Sequence, residues 1–212
     1  MPKKPAINGL YAITADELDT AELLGKAGQA LQGGARVLQY RNKIAGAELR
    51  LQQARALRRL TREFDVAFIV NDDAQLAVQV DADGVHLGGE DGSVAVARAL
   101  LGTQKIIGVS CYNRAPLAFE AVRQGADYVA FGAFFSSSVK PEAVQAEIAL
   151  LPTVRRQLEV PIVAIGGITR QNGGVLVDAG ADALAVISAL WNAPDIEVAA
   201  QEFSTLFSRT RQ

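Results

Sequence analysis

Charged and amide side chains follow a short apolar segment near residue 40. The sequence there reads Gln39, Tyr40, Arg41, Asn42 and Lys43. Arginine binds phosphate oxygens through two parallel hydrogen bonds, and lysine binds them as a point charge. Arg41 and Lys43 therefore indicate a site for a polyanion. The competing interpretation is a solvated strand end, which this spacing alone does not exclude.

Carboxylates follow two of the next apolar segments. Asn71, Asp72 and Asp73 end one of them, and Asp91 follows the next. Mg²⁺ in proteins takes one or two carboxylates together with phosphate oxygens of a substrate. Asp72 and Asp91 are therefore candidate metal ligands. The simpler interpretation of residues 71–73 is a turn that caps a helix.

Hydroxyl, lysine and glycine residues complete this set of candidate functional groups. Later apolar segments end in Ser110, in three serines followed by Lys140, in Gly166-Gly167 and in Ile187-Ser188. Backbone N–H groups in such glycine turns and at helix starts can bind a phosphate. A tight turn explains the glycine pair equally well, and a flexible loop explains the serines.

The chain has one histidine and one cysteine, His86 and Cys111. Metal sites and relays that need two histidines are thereby excluded, as are an intrachain disulfide and a cysteine-rich zinc site. We expect His86 to be a packed strand residue rather than a catalytic base. We expect Cys111 to be an unreactive apolar filler, because a nucleophilic cysteine needs an activating partner.

Short apolar segments recur eight times, as expected for strands buried on both faces. They cover residues 9–14, 37–41, 67–72, 84–88, 106–110, 128–135, 162–167 and 183–188. Segments with helical periodicity lie between and after them, at 21–31, 47–64, 93–101, 116–124, 142–158, 172–179 and 196–207, with a shorter one at 74–80. This alternation predicts a parallel sheet with right-handed crossovers.

Eight strand–helix units predict an α/β fold, a single (β/α)8 TIM barrel over residues 1–212. A doubly wound open sheet is the alternative. In such a barrel the active site lies at the carboxyl ends of the strands, where the polar residues named above follow the apolar segments. Their placement at one rim strengthens the functional interpretation of each.

The net charge and the length of the apolar stretches argue against binding to nucleic acid and against a membrane protein. The chain has 212 residues with a net charge of −2, so a basic face for nucleic acid or an anionic membrane is not expected. We find no signal peptide pattern, and the longest apolar stretch, at 183–191, is too short to span a membrane. We expect a cytoplasmic protein, and leave open whether it forms a homo-oligomer.

The order of the motifs resembles that of the thiamine phosphate synthase family over essentially the whole chain. The motifs are LQYRNK at 38–43, VNDD at 70–73, GVHLG at 84–88, IGVSCYN at 107–113, VAIGGIT at 163–169 and GADALAVISAL at 180–190. The resemblance implies a Mg²⁺-dependent transferase. Such an enzyme joins 4-amino-2-methyl-5-hydroxymethylpyrimidine diphosphate to 4-methyl-5-(2-hydroxyethyl)thiazole phosphate, with loss of diphosphate before the thiazole nitrogen attacks.

The resemblance also implies roles for individual residues. Those matching the family's pyrimidine diphosphate site are Gln39, Arg41, Lys43, Asn71 and Lys140, with Tyr40 and Asn42 in the same motif and Ser110 beside the pyrimidine. Those matching the thiazole phosphate site are Ser137, Gly167, Ile187 and Ser188. Asp72 and Asp91 match the Mg²⁺ ligands. Arg41, Lys43, Lys140 and Ser110 are the residues expected to act in catalysis.

The chain departs from the family pattern at three places. Val139 replaces a residue that carries a hydroxyl, Gly89 stands where glutamine is common, and Tyr112 stands where the related thiazole tautomerase has a histidine. Tyr112 together with Arg41 favours the synthase over that tautomerase. A non-catalytic barrel that binds the same precursors is the other alternative, which the change at Val139 suggests.

Overall fold

The eight predicted strands close into a parallel barrel. The computed structural model describes residues 4–88, 92–136 and 144–208. Each strand pairs in parallel with the next along the chain, and β1 pairs with β8 to complete the ring. The prediction of a (β/α)8 TIM barrel is confirmed, and the open doubly wound sheet is excluded because the ring has no edge strand.

Strands and helices alternate along the chain as predicted. The strands are β1 Gly9–Ile13, β2 Val37–Tyr40, β3 Ala67–Asn71, β4 Gly84–Leu87, β5 Ile106–Tyr112, β6 Tyr128–Phe131, β7 Ile162–Ile165 and β8 Ala183–Val186. The helices are α1 Thr20–Gln32, α2 Ala47–Glu63, α3 Ala74–Gln79, α4 Val94–Leu101, α5 Ala115–Arg123, α6 Leu150–Arg155, α7 Gly174–Asp178, α8 Ser188–Trp191 and α9 Ile196–Thr205. Among these described helices, none combines the length and the apolar character that a membrane crossing requires.

Two helices differ from the sequence prediction. The predicted helix at 142–158 is wrong at residues 144–149, because α6 begins only at Leu150. The segment before α6 is held in another way: the Ala133 N–H donates to the Val144 carbonyl, and the Ala146 N–H donates to the Ala133 carbonyl. The short helix α8 directly after β8 was not predicted, because the apolar stretch at 183–191 continues through it and carries no helical signal of its own.

Side chains of the strands alternate between two cores. One core lies between the strands and the helices and includes Leu10, Leu38 and Cys111. The other fills the barrel and includes Tyr11, Val37 and Tyr128. A residue whose side chain points into the barrel is therefore flanked along the strand by residues that pack against helices. This alternation decides which polar residues at the strand ends can face the barrel axis.

Three aspartates at the amino ends of strands form a repeated clamp. Asp83, Asp127 and Asp182 precede β4, β6 and β8, and each carboxylate accepts a hydrogen bond from a backbone N–H of the preceding strand. Each also pairs with an arginine of the helix before that preceding strand, namely Arg58, Arg98 and Arg155 respectively. The clamp joins two neighbouring strands and one helix at the end of the barrel opposite the predicted site.

We predict that Asp83→Asn destabilises the chain while leaving the cavity at the other end unchanged. Arg58 donates both terminal nitrogens to this carboxylate, at 2.7 and 2.9 Å, and the pair is largely shielded from water. Loss of hydrogen bonds to a charged group costs about 1.5–3 kcal/mol each. Urea unfolding should show a decrease of at least that size in the free energy of unfolding. The control Asp178→Asn, at an exposed position of α7, should change it by less than about 0.5 kcal/mol. An equal effect of both variants would contradict the clamp.

Candidate active site

A cavity of about 800 Å³ opens at the carboxyl ends of the strands. Polar side chains or backbone groups line it from all eight strands or the loops that follow them. These residues are Tyr11 on β1, Gln39 on β2 and Arg41 after it, Asn71 on β3, His86 on β4, Ser110 and Tyr112 on β5, Tyr128 on β6, Gly166 and Gly167 after β7, and Ser188 after β8. The cavity therefore lies where a barrel of this kind places its active site, and it contains much of the predicted site.

Alternation along β2 divides the motif at residues 39–43 between two faces. The side chains of Gln39 and Arg41 line the cavity. Those of Tyr40 and Asn42 both bond to Gln53 of α2, at 2.8 and 3.0 Å, and both are buried. The sequence analysis placed Tyr40 and Asn42 among the binding residues. The structure instead gives their side chains a role in fixing α2 and the loop after β2.

Arg41 is positioned by two residues of the segment after β1. The buried Thr14 hydroxyl donates to the Arg41 carbonyl at 2.7 Å and accepts from the Arg41 N–H at 2.8 Å. Asp16 accepts from Arg41 Nη1 at 3.2 Å and from the Lys43 backbone N–H at 2.7 Å. Sequence reasoning missed both residues, because a threonine and an aspartate in a loop carry no local signal of such contacts.

The triplet at residues 71–73 serves three different purposes. Asn71 lines the cavity. The Asp72 carboxylate lies 2.7 Å from Lys43 Nζ, and its backbone adopts a positive φ of 62°, a conformation that aspartate and asparagine tolerate better than most residues. Asp73 caps α3, since its side chain accepts from the Leu76 N–H. The structural interpretation is thus correct for Asp73, whereas the substrate role of Asn71 and the metal role of Asp72 stay predictions.

The single histidine takes part in a buried polar contact at the cavity wall. His86 Nε2 lies 2.9 Å from Ser110 Oγ, and Nδ1 lies 2.9 Å from the Tyr128 hydroxyl. Burial lowers the pKa of His86 from its ordinary value of 6.5 to about 4, against a smaller opposing effect of Asp72. The ring is therefore neutral at physiological pH. His86 is packed in a strand, as predicted, and it also contacts the candidate catalytic residue Ser110.

The other side of the cavity is formed by the ends of β7 and β8. Gly166 and Gly167 both have positive φ, and a Cβ on Gly167 would lie 2.4 Å from the Ser136 carbonyl oxygen. Only glycine fits that turn, which lets the backbone form the wall of the cavity. Ile187 and Ser188 follow β8, and Ser188 begins the short helix α8. Loops after strands seven and eight with a short extra helix form the usual phosphate site of such barrels.

Some predicted residues cannot be placed. Asp91, Ser137 and Lys140 lie outside the described residues, as do the departures at Gly89 and Val139. Conversely, the cavity is lined by residues that no sequence prediction included in the site. Among them are Tyr112, Asn113 and Arg114, at and after the bulge in β5, as well as Tyr11 and Tyr128. Tyr112 was noted only as a departure from the family pattern, although it is half-exposed at the cavity and has a positive φ.

Comparison with known proteins agrees with this geometry. The family model described as thiamine monophosphate synthase matches residues 10–190. A thiamine-phosphate synthase of Methylobacillus flagellatus is 56% identical over 204 residues, which are 96% of this chain and 97% of that protein. The chain belongs to the thiamine monophosphate synthase family. The match extends from β1 to α8 and so includes every strand of the barrel.

Two further relatives support the assignment to this family. The thiamine-phosphate synthase of Nitrosospira multiformis is 53% identical over 203 residues, covering 96% of this chain and 87% of that protein. The solved structure of a thiamine phosphate pyrophosphorylase from Pyrococcus furiosus is 35% identical, with a TM-score of 0.87. That match covers 96% of this chain and 97% of the other. The resemblance inferred from the motifs is therefore confirmed at the level of the family.

We predict that the low pKa of His86 makes stability depend on pH between 7 and 5. In that range the unfolded chain takes up a proton on its histidine, whereas the folded chain stays neutral until about pH 4. The unfolded state then binds more protons, so the free energy of unfolding should fall by about 2 kcal/mol from pH 7 to pH 5. Urea titrations measure this, and the control His86→Gln should lack most of the decrease. An imidazole signal that titrates near pH 6.5 in the folded chain would contradict the prediction.

We predict that Cys111 does not react in the folded chain. It is fully buried in the outer core, and burial raises the pKa of its thiol to about 12. The thiolate, which is the reactive form, is therefore negligible at neutral pH. An alkylating reagent should leave the native chain unmodified and label it only after denaturation, and Cys111→Ser should keep most of the turnover. Rapid labelling with loss of turnover in the native chain would show that the thiol is exposed.

Proposed function

We propose that this chain is a thiamine-phosphate synthase. It joins the pyrimidine diphosphate to the thiazole phosphate and releases diphosphate, which makes it a transferase of small molecules. The observation that carries the proposal is the arrangement of the cavity. Arg41 and Asn71 lie at the ends of β2 and β3, and the glycine turn at Gly167 lies after β7, on the opposite side of the closed ring. Two anionic substrates can thus be held at opposite walls with their reacting atoms between them.

We assign the wall at β2 to β5 to the pyrimidine diphosphate. Arg41, already held by Asp16, binds phosphate oxygens through its remaining guanidinium donors, and Asn71 adds an amide donor. Lys43 supplies a second positive charge beside them, and Lys140 supplies a third by resemblance to the family. Gln39 and Ser110 contact the pyrimidine ring from deeper in the cavity.

We assign the wall at β7 and β8 to the thiazole phosphate. Gly167, Ile187 and Ser188 offer backbone and hydroxyl groups there, and Ser137 joins them by resemblance. The proposed reaction is dissociative: diphosphate leaves, a pyrimidine-methyl cation forms, and the thiazole nitrogen captures it. Such a reaction needs charge neutralisation and close positioning rather than a strong base. The neutral, weakly basic His86 agrees with that requirement.

We propose Mg²⁺ as the cofactor, held by Asp72 and, by resemblance, Asp91. In the part of the chain that the structure describes, no three acidic, cysteine or histidine side chains lie together as a metal cluster. Phosphate oxygens of the substrate would therefore complete the coordination, as is usual for Mg²⁺. When bound, the ion neutralises charge on the leaving diphosphate. Lys43, 2.7 Å from Asp72, holds that carboxylate at the edge of the site.

A turnover assay tests the proposed function directly. The purified chain is incubated with both substrates and Mg²⁺, and thiamine phosphate and diphosphate are quantified. We expect stoichiometric formation of both products. Isomerisation of the thiazole phosphate without coupling would instead indicate a tautomerase. Tight binding of both precursors with no product would indicate a non-catalytic binding protein.

We predict that Asp72→Asn raises the Mg²⁺ concentration needed for half-maximal turnover by tenfold or more. Asparagine tolerates the positive φ at this position, so the backbone is preserved while the anionic ligand is lost. The control is Asp73→Asn, since asparagine caps a helix as well as aspartate does. The control should keep the Mg²⁺ dependence of the unmodified chain. An Asp72→Asn titration curve that overlays the unmodified one would remove Asp72 from the metal site.

A further inference from the structure

Five side chains form one continuous line of hydrogen bonds beneath the cavity. Gln39 Nε2 donates to the Tyr11 hydroxyl at 2.8 Å, and that hydroxyl lies 2.7 Å from the hydroxyl of Tyr128. The Tyr128 hydroxyl lies 2.9 Å from His86 Nδ1, and His86 Nε2 lies 2.9 Å from Ser110 Oγ. All five residues line the cavity. The two ends of the line, Gln39 and Ser110, are the residues assigned above to the pyrimidine ring.

The sequence builds space for this line with one glycine. Gly108 of β5 pairs with His86 on one side and with Tyr128 on the other. A Cβ on Gly108 would lie 1.9 Å from Cζ of the Tyr128 ring. The missing side chain lets the two rings stack, with centroids 5.5 Å apart and planes inclined by 25°. The rings are thus fixed by close packing as well as by their hydrogen bonds.

The number of hydrogens sets the direction of the line. Each tyrosine hydroxyl carries one hydrogen, and a neutral imidazole carries one on a single ring nitrogen. Both hydroxyls are buried, so a hydrogen without an acceptor would be costly. With Gln39 as the first donor, Tyr11 must donate to Tyr128 and Tyr128 to His86 Nδ1. His86 then carries its hydrogen on Nε2 and donates it to Ser110 Oγ, so the hydrogen of Ser110 itself is directed into the cavity.

We propose that Tyr11, Tyr128 and His86 are positioning residues that make the Ser110 hydroxyl a hydrogen-bond donor toward the substrate. This inference rests on the proposed function. The acceptor is a ring nitrogen of the aminopyrimidine, which has a lone pair in the plane of the ring. A donor at that nitrogen fixes the orientation of the ring but does not stabilise a positive charge that spreads into it. The line therefore acts on binding of the pyrimidine diphosphate more than on the rate of the bound complex.

The state of the single histidine tests the direction of the line. In the unmodified chain, ¹⁵N NMR of the imidazole distinguishes the two neutral tautomers, and only one histidine contributes. We expect hydrogen on Nε2 and none on Nδ1 at pH 7. Hydrogen on Nδ1 would mean that Ser110 donates to His86 instead of to the substrate, which would overturn the proposal.

A double-mutant cycle tests whether Tyr128 acts through Ser110. Tyr128→Phe should raise KM for the pyrimidine diphosphate by about 3- to 10-fold, the equivalent of one neutral hydrogen bond. Both kcat and the KM for the thiazole phosphate should change by less than about threefold. In the Ser110→Ala background, Tyr128→Phe should raise KM no further. Multiplicative effects of the two substitutions, or no effect of Tyr128→Phe in a folded protein, would overturn the proposal.

Controls separate this role from a general loss of stability. Thr61→Val removes a buried hydroxyl of α2, outside the cavity, and should leave both KM values unchanged. If Tyr128→Phe does not fold, Tyr11→Phe replaces it in the double-mutant cycle with Ser110→Ala, because it breaks the line one hydrogen bond earlier. Failure of the unmodified chain to form thiamine phosphate would refute the proposed function. Normal turnover with a multiplicative cycle would refute only the positioning role.

Discussion

Closure of eight parallel strands into one ring is the constraint on which the rest of the structure depends. Successive side chains of a strand point to opposite faces of the sheet, and closure makes one face the barrel interior and the other the surface that packs against the helices. In β2 and the residues after it, Gln39 and Arg41 point inward whereas Tyr40 and Asn42 point outward to Gln53. In β5, Ser110 faces the cavity and Cys111 lies in the outer core. Consecutive residues are thus divided into two sets. The side chains of one set line the cavity, where they can contact a substrate, and those of the other pack against or bond to the helices.

The mostly apolar barrel interior contains one line of buried polar side chains beneath the cavity, and these groups suit the proposed chemistry. Two tyrosines and one histidine are buried there, and their desolvation is compensated because each hydroxyl and ring nitrogen has a partner. Burial also raises the pKa of both tyrosine hydroxyls and lowers that of the imidazole. No strong base or anionic oxygen is therefore produced by these three groups at neutral pH. In the proposed reaction a pyrimidine-methyl cation has to persist until the thiazole nitrogen attacks it. Because the two tyrosines and the histidine are neutral and hydrogen-bonded, they do not compete with that nitrogen as nucleophiles.

The strands and the rim could be predicted from the sequence because their signals are local. A strand buried on both faces reads as an apolar segment, and its end is marked by the first polar residues. The contacts that position the site are not local. Asp16 and Thr14 reach Arg41 across 25 and 27 residues, and Tyr11 reaches Tyr128 across 117. Tyrosines inside apolar segments look like ordinary core residues in the sequence, so the line of hydrogen bonds through Tyr11 and Tyr128 could not be predicted. The start of α6 was mispredicted for a similar reason, since Val144 and Ala146, which precede it, form hydrogen bonds with Ala133 just after β6.

Arginine–carboxylate pairs occur at both ends of the barrel, and the way each pair is built explains why one end is structural and the other is available for binding. Arg58 donates both terminal nitrogens to Asp83, which also accepts the Phe68 N–H. The two terminal nitrogens of the guanidinium thus each donate to a different oxygen of the carboxylate. Asp16, in contrast, takes Arg41 through Nη1 at 3.2 Å and uses the same oxygen for the Lys43 N–H. This contact restricts the side chain of Arg41, which lines the cavity. In the proposed function, a phosphate would meet a guanidinium whose conformational freedom has already been reduced, which lowers the entropic cost of binding.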